Sequence, residues 1–523
     1  MKKFLENKIL HPFLITIFPA LFLYSSNLGE TKFRMAIPSI VAILVTSLLL
    51  ALLFWLIFKN IIKAGICSSL IIFSFLTYQY FRPVFSFFGL KNNSIVFDST
   101  ACVIWLVILT FFLFLVWKTK KLDVWNYLLN ITSLILLTSF LISLISSSPS
   151  NNKVDPKKIS SYYQNQIKAT KPTTAEMPDI YYMILDGYGR NDILNSKFHY
   201  DNSQFTNFLK KQRFFVADKA TSNYGQTALS LSSAMNLDYL DTLDGTKNTS
   251  HSLAGALVGN SALINHLEKL DYRTISFSTD YEFATVTDVD ENKTPAYWSE
   301  FNQVMLNRST ISDIPFLKKY IFGWLSVGQR SKKINYVFEH VADEAESNVP
   351  KFTFFHVIAP HPPFIFDAFG LRKNLDFDKI VQHDCDGYFS QTHDSPTDYQ
   401  KDYSNQVQYV NKLAETAVTQ IINNSKRPLI IILQGDHGPG SSCNLGDMSK
   451  TDLPERMSIL NAYYFSDQKY DKLYPEITPV NTFRVIFDQY LGTNLPLLED
   501  KNYFSLWKTP YEFIDVTDKI NKK

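Results

Sequence analysis

Hydrophobic residues are concentrated in the first 148 residues of the chain, whereas the rest alternates between short apolar runs and polar stretches. Five segments of the first part are almost continuously apolar and contain no Asp, Glu, Lys or Arg. About 20 such residues allow a helix to cross a bilayer. The pattern therefore predicts an N-terminal bundle of five transmembrane helices within residues 1–148. Their predicted spans are Ile9–Leu28, Met35–Phe58, Ala64–Phe81, Ala101–Trp117 and Val124–Ile145.

The positive charges between these segments predict their orientation. The N-terminus and the second and fourth loops carry eight Lys and Arg residues, against four in the first and third loops. Because Lys and Arg are enriched in cytoplasmic loops, we expect a multi-pass protein of the inner or plasma membrane with a cytoplasmic N-terminus. Five crossings then place the chain after Ile145 outside the cytoplasm. The polar residues 149–178 are rich in Ser, Asn, Lys, Thr and Pro and are expected to form a linker.

Residues 179–515 have the pattern of a single α/β domain. Short apolar runs bounded by polar turns predict buried strands, and the amphipathic stretches between them predict helices. Strands that are apolar on both faces and alternate with helices indicate a mostly parallel sheet between helix layers. The predicted strands are Ile180–Leu185, Tyr272–Phe277, Phe352–Ile358 and Leu429–Leu433. The predicted helices are Ser203–Gln212, Ser261–Leu270 and Ser404–Asn424.

Charge and cysteine content add two constraints. The net charge is +2, and the sequence has no concentrated basic patch or nucleic-acid motif, so no nucleic-acid partner is expected. Two of the four cysteines, Cys385 and Cys443, lie in the domain over 179–515. Since an extracytoplasmic compartment is oxidising, we expect these two residues to form a disulfide.

Acidic residues directly follow two of the predicted strands. Asp186 comes after the first strand, and Asp436 and His437 come after the last. Ligands of open α/β sheets bind at the carboxyl ends of the strands, so these side chains are expected to meet. Carboxylates with one imidazole suit one divalent ion such as Mn, Mg or Zn. The alternative is an ordinary Asp-Gly turn and a surface histidine.

Thr227 is the candidate nucleophile, because it lies at the predicted start of a helix, where free N–H groups stabilise an anion. The alternative is that Thr227 only caps the helix. Three serines nearby compete for the same role: Ser222, Ser230 and Ser232.

Two histidines accompany the third predicted strand. His361, in a proline-framed loop, is a candidate to donate a proton to a leaving oxygen or to hold a phosphoryl oxygen. His356 lies inside the strand and is interpreted as a core histidine.

The ordered motifs DGYG, GQT, H-x₄-PHPPF, GDHGPG and TPVNTFR resemble membrane-bound sulfatase-like proteins of the alkaline phosphatase superfamily. The membrane layout is similar to that of lipoteichoic acid synthases and phosphoethanolamine transferases. The resemblance implies a metal centre of Asp186, Thr227, Asp436 and His437, with His361 on the substrate side. The formylglycine motif C/S-x-P-x-R of true sulfatases does not occur. Arg484 of TPVNTFR is interpreted as a helix-surface charge.

The resemblance implies an enzyme that transfers a phospho-alcohol group, of the phosphoglycerol or phosphoethanolamine type, by way of a phosphothreonine. The donor would be a membrane phospholipid, and the acceptor a glycan or lipid of the cell envelope. The alternative within the superfamily is a phosphodiesterase or sulfatase-like hydrolase, in which water replaces the acceptor. An inactive envelope scaffold or sensor is the alternative of another class.

The predicted orientation can be tested with reporter fusions. A reporter joined after Lys59 or Lys121 should be active only in the cytoplasm, and one joined after Lys153 only outside, because charge-rich loops stay inside. Alkaline phosphatase and green fluorescent protein fusions at the same three positions give complementary readouts. A cytoplasmic signal at Lys153 would contradict the predicted topology.

Overall fold

The computed structural model describes residues 5–520, except 7, 28–30, 32, 85–94, 147–154, 169–171, 175, 278–280, 287, 294–299, 315–316, 318–319, 322, 324–326, 347–348 and 373–382. The chain divides into two compact units. The first comprises Met1–Lys153 and Tyr297–Gly328, and the second comprises Val154–Ala296 and Gln329–Lys523.

The first unit is built from long apolar helices. Among the residues that the structure describes, three helices are long and apolar enough to cross a membrane, and a fourth span is formed if the bent pair Ile61–Leu76 and Tyr78–Val84 counts as one. Only 11–17% of the most apolar stretch of each long helix is buried by protein, so the remaining apolar side chains suit a lipid environment. The predicted fold class is confirmed, although the count of five spans is approximate because His11–Ser25 has only 15 residues. The helices are His11–Ser25, Phe33–Phe58, Ile61–Leu76, Tyr78–Phe81, Ile95–Lys118 and Asp123–Ser146.

Residues 297–328 leave the α/β fold and belong to the first unit. This segment contains the helix Glu300–Asn307 and the 3₁₀ helix Thr310–Asp313. Its side chains Phe301 and Met305 are buried in an apolar cluster with residues of the membrane helices, including Leu23. The sequence-based division assigns all of 179–515 to one domain, whereas in the structure 297–328 clusters with the first unit.

A buried carboxylate fixes the segment. Asp313 accepts hydrogen bonds from the Tyr78 hydroxyl at 2.8 Å, from Arg82 Nε at 2.7 Å and from Gln79 Nε2 at 3.2 Å. The Asp313 side chain is 4% exposed. A buried carboxylate is tolerated only when it is paired and hydrogen-bonded, so these partners hold the segment against the unit.

The second unit is organised around a seven-stranded mixed sheet in the order β2-β9-β8-β1-β5-β3-β4. Strands β8, β1, β5, β3 and β4 are parallel, whereas β9 is antiparallel to β8. Two further hairpins are β6-β7 and β10-β11. The strands are β1 Asp179–Leu185, β2 Phe215–Val216, β3 Arg273–Phe277, β4 Glu291–Asn292, β5 Lys351–Val357, β6 Phe366–Asp367, β7 Gly370–Leu371, β8 Leu429–Gln434, β9 Asn461–Phe465, β10 Tyr503–Leu506 and β11 Thr509–Asp515.

Helices cover the sheet, and its central strands β1, β5 and β8 are therefore buried along their whole length. Alternate residues of β1, such as Tyr182, pack in a large cluster with the helices Thr227–Asn236 and Pro479–Ile486. The longest helix, Pro396–Asn424, begins with a capping box in which Ser395 and Asp398 satisfy each other's backbone N–H groups. The other helices of this unit are Pro156–Gln166, Asn191–Phe198, Ser203–Lys211, Ser252–Gly259, Ala262–Glu268, Gln329–His340, Cys385–Thr392, Leu453–Met457 and Thr517–Ile520, with 3₁₀ turns at Glu282–Ala284, Val341–Glu346 and Met448–Lys450 and a π-helical turn at Phe487–Leu491.

Part of the expected linker is folded. Residues Pro156–Gln166 form a helix that is capped by Asp155. Its apolar residues Ile159 and Tyr163 are buried in the large cluster of the second unit. Three apolar residues at helical spacing, the third being Ile167, are enough to dock a segment whose average composition is polar.

The role of Asp313 can be tested by substitution. Asp313→Ala should loosen segment 297–328, since losing one member of a buried ion pair costs about 3 kcal/mol. The full-length protein in detergent micelles should then be cleaved faster by trypsin after Arg308 of this segment. Asp218→Ala removes an exposed carboxylate and serves as the matched control. Equal cleavage rates in both variants would contradict the anchoring role.

Candidate active site

The acidic turns lie at the carboxyl edge of the sheet because β1 and β8 are parallel neighbours that end in register. Asp186 follows β1, and Asp436 follows β8 by two residues. Gly187 has φ +71°, a conformation that glycine adopts without steric cost. A side chain at Gly438 would place its Cβ 2.1 Å from the Glu455 carbonyl oxygen. These two glycines allow both turns to close over the strand ends.

Four sequence-predicted residues meet at one point. His437 Nε2 lies 3.1 Å from Thr227 Oγ1, 3.5 Å from Asp186 Oδ1 and 3.5 Å from Asp436 Oδ2. All four residues are buried. Asp436 Oδ1 is occupied by the Gly187 N–H at 2.9 Å, which leaves its other oxygen directed at the centre.

The protonation of His437 follows from its second nitrogen. Nδ1 lies 2.9 Å from the Gly438 carbonyl oxygen, which can only accept, so Nδ1 carries the hydrogen and Nε2 carries a lone pair. Burial and the Arg456 guanidinium lower the pKa of His437, while both carboxylates raise it, and the net direction is downward. A neutral imidazole with its lone pair directed at the cluster is a metal ligand in form.

The carboxylates have the complementary property. Burial opposes ionisation of Asp186, but His361, His356 and His437 lower the pKa of this carboxyl below its usual range. Asp186 Oδ1 and Asp436 Oδ2 are both buried with no hydrogen-bond partner among the described residues. Two unpaired oxygens beside one lone pair offer three ligand atoms to a cation. The residues present therefore fit one divalent ion.

His356 belongs to this site, which its interpretation as a core histidine missed. It is buried in β5, and its Nε2 lies 3.1 Å from Asp186 Oδ2. Asp186, His356 and Asp436 can each offer one atom within 4.8 Å of the others, the spacing of a metal site. No local pattern gave this contact, because it depends on the pairing of β5 with β1, which places His356 beside Ile184, two residues before Asp186.

Thr227 is the first residue of the helix Thr227–Asn236, and Gln226 is the cap. The Gln226 amide donates to the Ser505 carbonyl oxygen at 2.9 Å, and its oxygen contacts His251 Nε2 at 2.7 Å. The Thr227 hydroxyl is therefore not used as the N-cap and is directed at His437 Nε2.

The three competing serines have other partners. Ser230 donates to the Asp436 carbonyl oxygen at 2.7 Å, and Ser232 donates to the main chain of Ala228 at 2.5 Å. Ser222 donates to Met457 Sδ at 3.4 Å. Each hydroxyl thus has a structural hydrogen bond that does not involve the metal-site carboxylates or imidazole.

Arg484 fixes the other end of the Thr227 helix. It is 6% exposed and donates to the carbonyl oxygens of Leu237 at 2.6 Å and Pro496 at 2.7 Å. The interpretation as a helix-surface charge was wrong, because the guanidinium is buried and satisfies the carbonyl group of Leu237 at the C-terminus of a buried helix.

His361 lies at the rim of the cluster. Its ring centroid is 6.2 Å from that of His437. The backbone N–H of His361 donates to the Asp186 carbonyl oxygen at 3.0 Å. The ring nitrogen Nδ1 of His361 lies 2.7 Å from the Pro362 carbonyl oxygen. Because that carbonyl oxygen can only accept, Nδ1 carries the hydrogen of the neutral ring and Nε2 carries the lone pair. His361 is partly exposed, so a substrate can reach it.

The predicted disulfide between Cys385 and Cys443 is confirmed, with Cα atoms 4.6 Å apart. It joins the loop that follows His437 to the N-terminus of the helix Cys385–Thr392. Beside it lies an ion pair that sequence reasoning missed, in which Arg456 Nη1 contacts Asp384 Oδ2 at 2.6 Å. Neither residue stands in a recognisable motif, and no local pattern pairs residues separated by 72 positions.

This domain thus has the architecture of the alkaline phosphatase superfamily: a mostly parallel α/β sheet whose carboxyl edge carries acids, imidazoles and a helix-initiating hydroxyl. The family model for Sulfatase matches residues 178–489, which is more than half of the chain. The chain belongs to the sulfatase family, a family of enzymes, and the resemblance inferred from the motifs is confirmed.

Several solved structures are similar to this chain. The lipooligosaccharide phosphoethanolamine transferase EptA of Neisseria meningitidis is 10% identical, with TM-score 0.39 and coverage of 93% of this chain and 96% of that chain. The periplasmic domain of EptC from Escherichia coli in complex with Zn is 12% identical (TM-score 0.41; 68% and 98% covered). The putative sulfatase yidJ of Bacteroides fragilis is 14% identical (TM-score 0.38; 63% and 82% covered). No curated protein matches the sequence significantly. Likenesses of this degree do not establish activity, so the family assignment comes from the family model.

The metal centre yields a direct prediction. Purified wild-type protein should contain about one divalent ion per chain, and Asp436→Asn should reduce metal affinity at least tenfold, roughly the loss seen when supporting residues of metal sites are removed. Added metal should raise the Tm of the wild type but not of Asp436→Asn. Elemental analysis and thermal melting measure the two effects.

Asp192→Asn changes a carboxylate outside this cluster and is the matched control, since it pairs with Arg190 at the surface. It should retain the metal and the metal-dependent rise in Tm. Equal metal content in Asp436→Asn and the wild type would rule out this centre.

Proposed function

We propose that this protein transfers a phospho-alcohol group from a membrane phospholipid to a hydroxyl of a cell-envelope glycan or lipid, through a phosphothreonine at Thr227. The observation that carries the proposal is the position of Thr227 Oγ1, 3.1 Å from His437 Nε2 at the start of a buried helix. A hydroxyl placed there beside Asp186 and Asp436 is arranged for nucleophilic attack.

Asp186, Thr227, Asp436 and His437 would hold the metal, with His356 either completing the ligand set or orienting Asp186. A divalent ion at this position would favour the ionised form of the Thr227 hydroxyl and offset the negative charge of the phosphoryl group. Two carboxylates and imidazole suit Mn or Zn, and Mg is the third candidate.

In the first half-reaction, Thr227 Oγ1 forms a bond to phosphorus, and the bond from phosphorus to the diacylglycerol oxygen breaks. His361 in its protonated form would give a proton to that leaving oxygen. The free N–H groups of the first turn of the Thr227 helix add positive potential beside the phosphoryl group.

In the second half-reaction, the acceptor hydroxyl gives its proton to His361 as its oxygen attacks phosphorus. The bond between phosphorus and Thr227 Oγ1 then breaks, which restores the ionised hydroxyl and the protonated histidine. The same histidine thus serves as acid in one half-reaction and as base in the other.

The membrane part supports a lipid donor. Three or four helices suited to a bilayer keep the chain in the phase where phospholipids reside. The charge bias of the loops supports a cytoplasmic N-terminus and an extracytoplasmic catalytic domain, on the side where envelope acceptors lie. The disulfide between Cys385 and Cys443 is consistent with an oxidising compartment.

Hydrolysis of a phosphodiester or sulfate ester is the second candidate, favoured by membership of the sulfatase family. In that case water takes the place of the acceptor hydroxyl. The residues after Thr227 are Ala-Leu-Ser-Leu rather than the x-Pro-x-Arg that accompanies formylglycine formation, so the phosphodiester is the better substrate of the two.

Intact-mass spectrometry of the full-length, metal-loaded protein tests the proposal. The protein in detergent is incubated with vesicles of phosphatidylethanolamine or of phosphatidylglycerol, without acceptor. We expect an adduct on Thr227 whose mass identifies the transferred alcohol phosphate, with release of diacylglycerol. Metal chelation should abolish the adduct.

Thr227→Ala should lose the adduct completely, whereas Ser233→Ala, a substitution on the same helix whose hydroxyl donates to the Asp238 carbonyl oxygen, should keep it. Release of free alcohol phosphate that depends on Thr227 but leaves no adduct would favour the hydrolase. An adduct that persists in Thr227→Ala would overturn the proposed nucleophile.

A further inference from the structure

Arg456 is a buried cation at the centre of the site, and it is not one of the proposed metal ligands. Its side chain is 3% exposed. Nε donates to the Gly225 carbonyl oxygen at 2.9 Å, and Nη1 donates to Asp384 Oδ2 at 2.6 Å and to the Gly438 carbonyl oxygen at 3.3 Å. One guanidinium therefore contacts both the loop before Thr227 and the loop after His437.

The remaining nitrogen, Nη2, faces the reaction centre. It lies 3.3 Å from His437 Nε2, the atom that is also 3.1 Å from Thr227 Oγ1. The Nε2 lone pair can accept one strong hydrogen bond or bind one metal ion, but not both at once. If a metal ion occupied that lone pair, Nη2 and Thr227 Oγ1 would still neighbour the same atom, so a phosphoryl group bonded to Oγ1 would lie within reach of the Nη2 hydrogens.

A guanidinium suits this position for chemical reasons. It is planar and permanently charged, and Nη2 alone carries two N–H groups that can donate to the oxygens of a phosphoryl group. Because Nε and Nη1 are already held by protein oxygens, Nη2 is oriented before the substrate arrives, so little conformational entropy is lost on binding.

Asp384 supplies the charge that holds Arg456. Its Oδ1 accepts from the Tyr399 hydroxyl at 2.8 Å while Oδ2 contacts Arg456. Burial opposes its ionisation, but Arg456 lowers the pKa of Asp384 below its usual range, so the carboxylate is charged. A Cβ at Gly440 would lie 2.4 Å from Asp384 Oδ1, which shows how closely the loop after His437 packs on this carboxylate.

The disulfide fixes Asp384 in turn. Cys385 is the next residue, and its bond to Cys443 ties the backbone beside Asp384 to the loop that carries Gly438 and Gly440. The ion pair and the disulfide thus form one brace between the metal-site loop and a segment distant in sequence.

We infer that Arg456 binds the non-bridging oxygens of the phosphoryl group, and that Asp384, fixed by the Cys385–Cys443 disulfide, is its positioning residue. The inference rests on the proposed function, since it takes Thr227 as the attacking group. The ligand it names is a tetrahedral phosphate, from whichever phospholipid or ester the group comes.

Calorimetric binding of inorganic phosphate to the full-length, metal-loaded protein tests the inference without a lipid donor. Arg456→Lys should raise the Kd for phosphate on the order of tenfold, because one ammonium group cannot bond to Gly225 and Asp384 and still donate to phosphate from the position of Nη2. Metal content, measured by elemental analysis, should stay at the wild-type value.

Asp384→Asn keeps Arg456 but removes its charged partner. It should weaken phosphate binding by a smaller factor, again with unchanged metal content. The double variant Cys385→Ser, Cys443→Ser should behave like Asp384→Asn. Wild-type phosphate affinity in the double variant would show that the disulfide does not support Arg456.

The matched controls come from a second carboxylate–guanidinium pair of the same unit. Arg372 contacts Asp402 through two hydrogen bonds of 2.7 and 2.8 Å. Arg372→Lys and Asp402→Asn should leave phosphate affinity unchanged. Thermal melting of every variant identifies any that fails to fold. If Arg456→Lys does not fold, the phosphate affinity of Asp384→Asn tests the inference instead.

Two results would overturn the inference. Unchanged phosphate affinity in folded Arg456→Lys would show that Nη2 does not contact the anion. Loss of metal together with phosphate affinity would show that Arg456 acts only by supporting His437. The proposed function fails separately, by absence of the Thr227 adduct, and that outcome leaves the phosphate measurement interpretable.

Discussion

Two buried carboxylate oxygens without hydrogen-bond partners among the described residues, Asp186 Oδ1 and Asp436 Oδ2, face one imidazole lone pair at the carboxyl edge of the sheet. Like charges in a dry site repel strongly, so the arrangement is stable only with a cation or a compensating frame. Much of the surrounding structure supplies that frame. The parallel register of β1 and β8 sets the separation of the acids, and the Gly187 N–H holds one oxygen of Asp436.

The helix that begins at Thr227, the proposed nucleophile, is fixed at both ends. Such fixing suits a reactive hydroxyl, which must be close to its target before the reaction starts. Gln226 and its partners His251 and Ser505 fix the start of the Thr227 helix, and Arg484 fixes its end. At the start of the helix, neutral hydrogen bonds hold the chain and leave the partial positive charge of the helix N-terminus available to an anion. A cation is used at the end, where the carbonyl groups carry partial negative charge. The helix therefore presents Thr227 with little freedom to move away from His437.

Segments of the two compact units alternate along the chain, and this has a consequence for folding. The apolar cluster of the first unit includes Phe301 and Met305, so that cluster is incomplete until the first part of the α/β domain has been synthesised. The central strands β5 and β8 come later still. Long-range pairing of this kind slows folding because loop closure precedes the stabilising contacts. The buried Asp313 then holds the returning segment through side-chain pairs rather than through apolar area alone.

Local patterns in the sequence determined the membrane helices, four of the sheet strands within one or two residues, and the acids and threonine that meet at the sheet edge. Those features follow from residue periodicity and from the rule that parallel strands end together. Only tertiary structure decided four other features: the link from His356 to Asp186, the brace of Arg456 and Asp384, the burial of Arg484, and the return of residues 297–328 to the membrane helices. Each depends on which distant side chains share a buried volume. That is settled by packing and by the pairing of buried charges, and neither leaves a signal in local sequence.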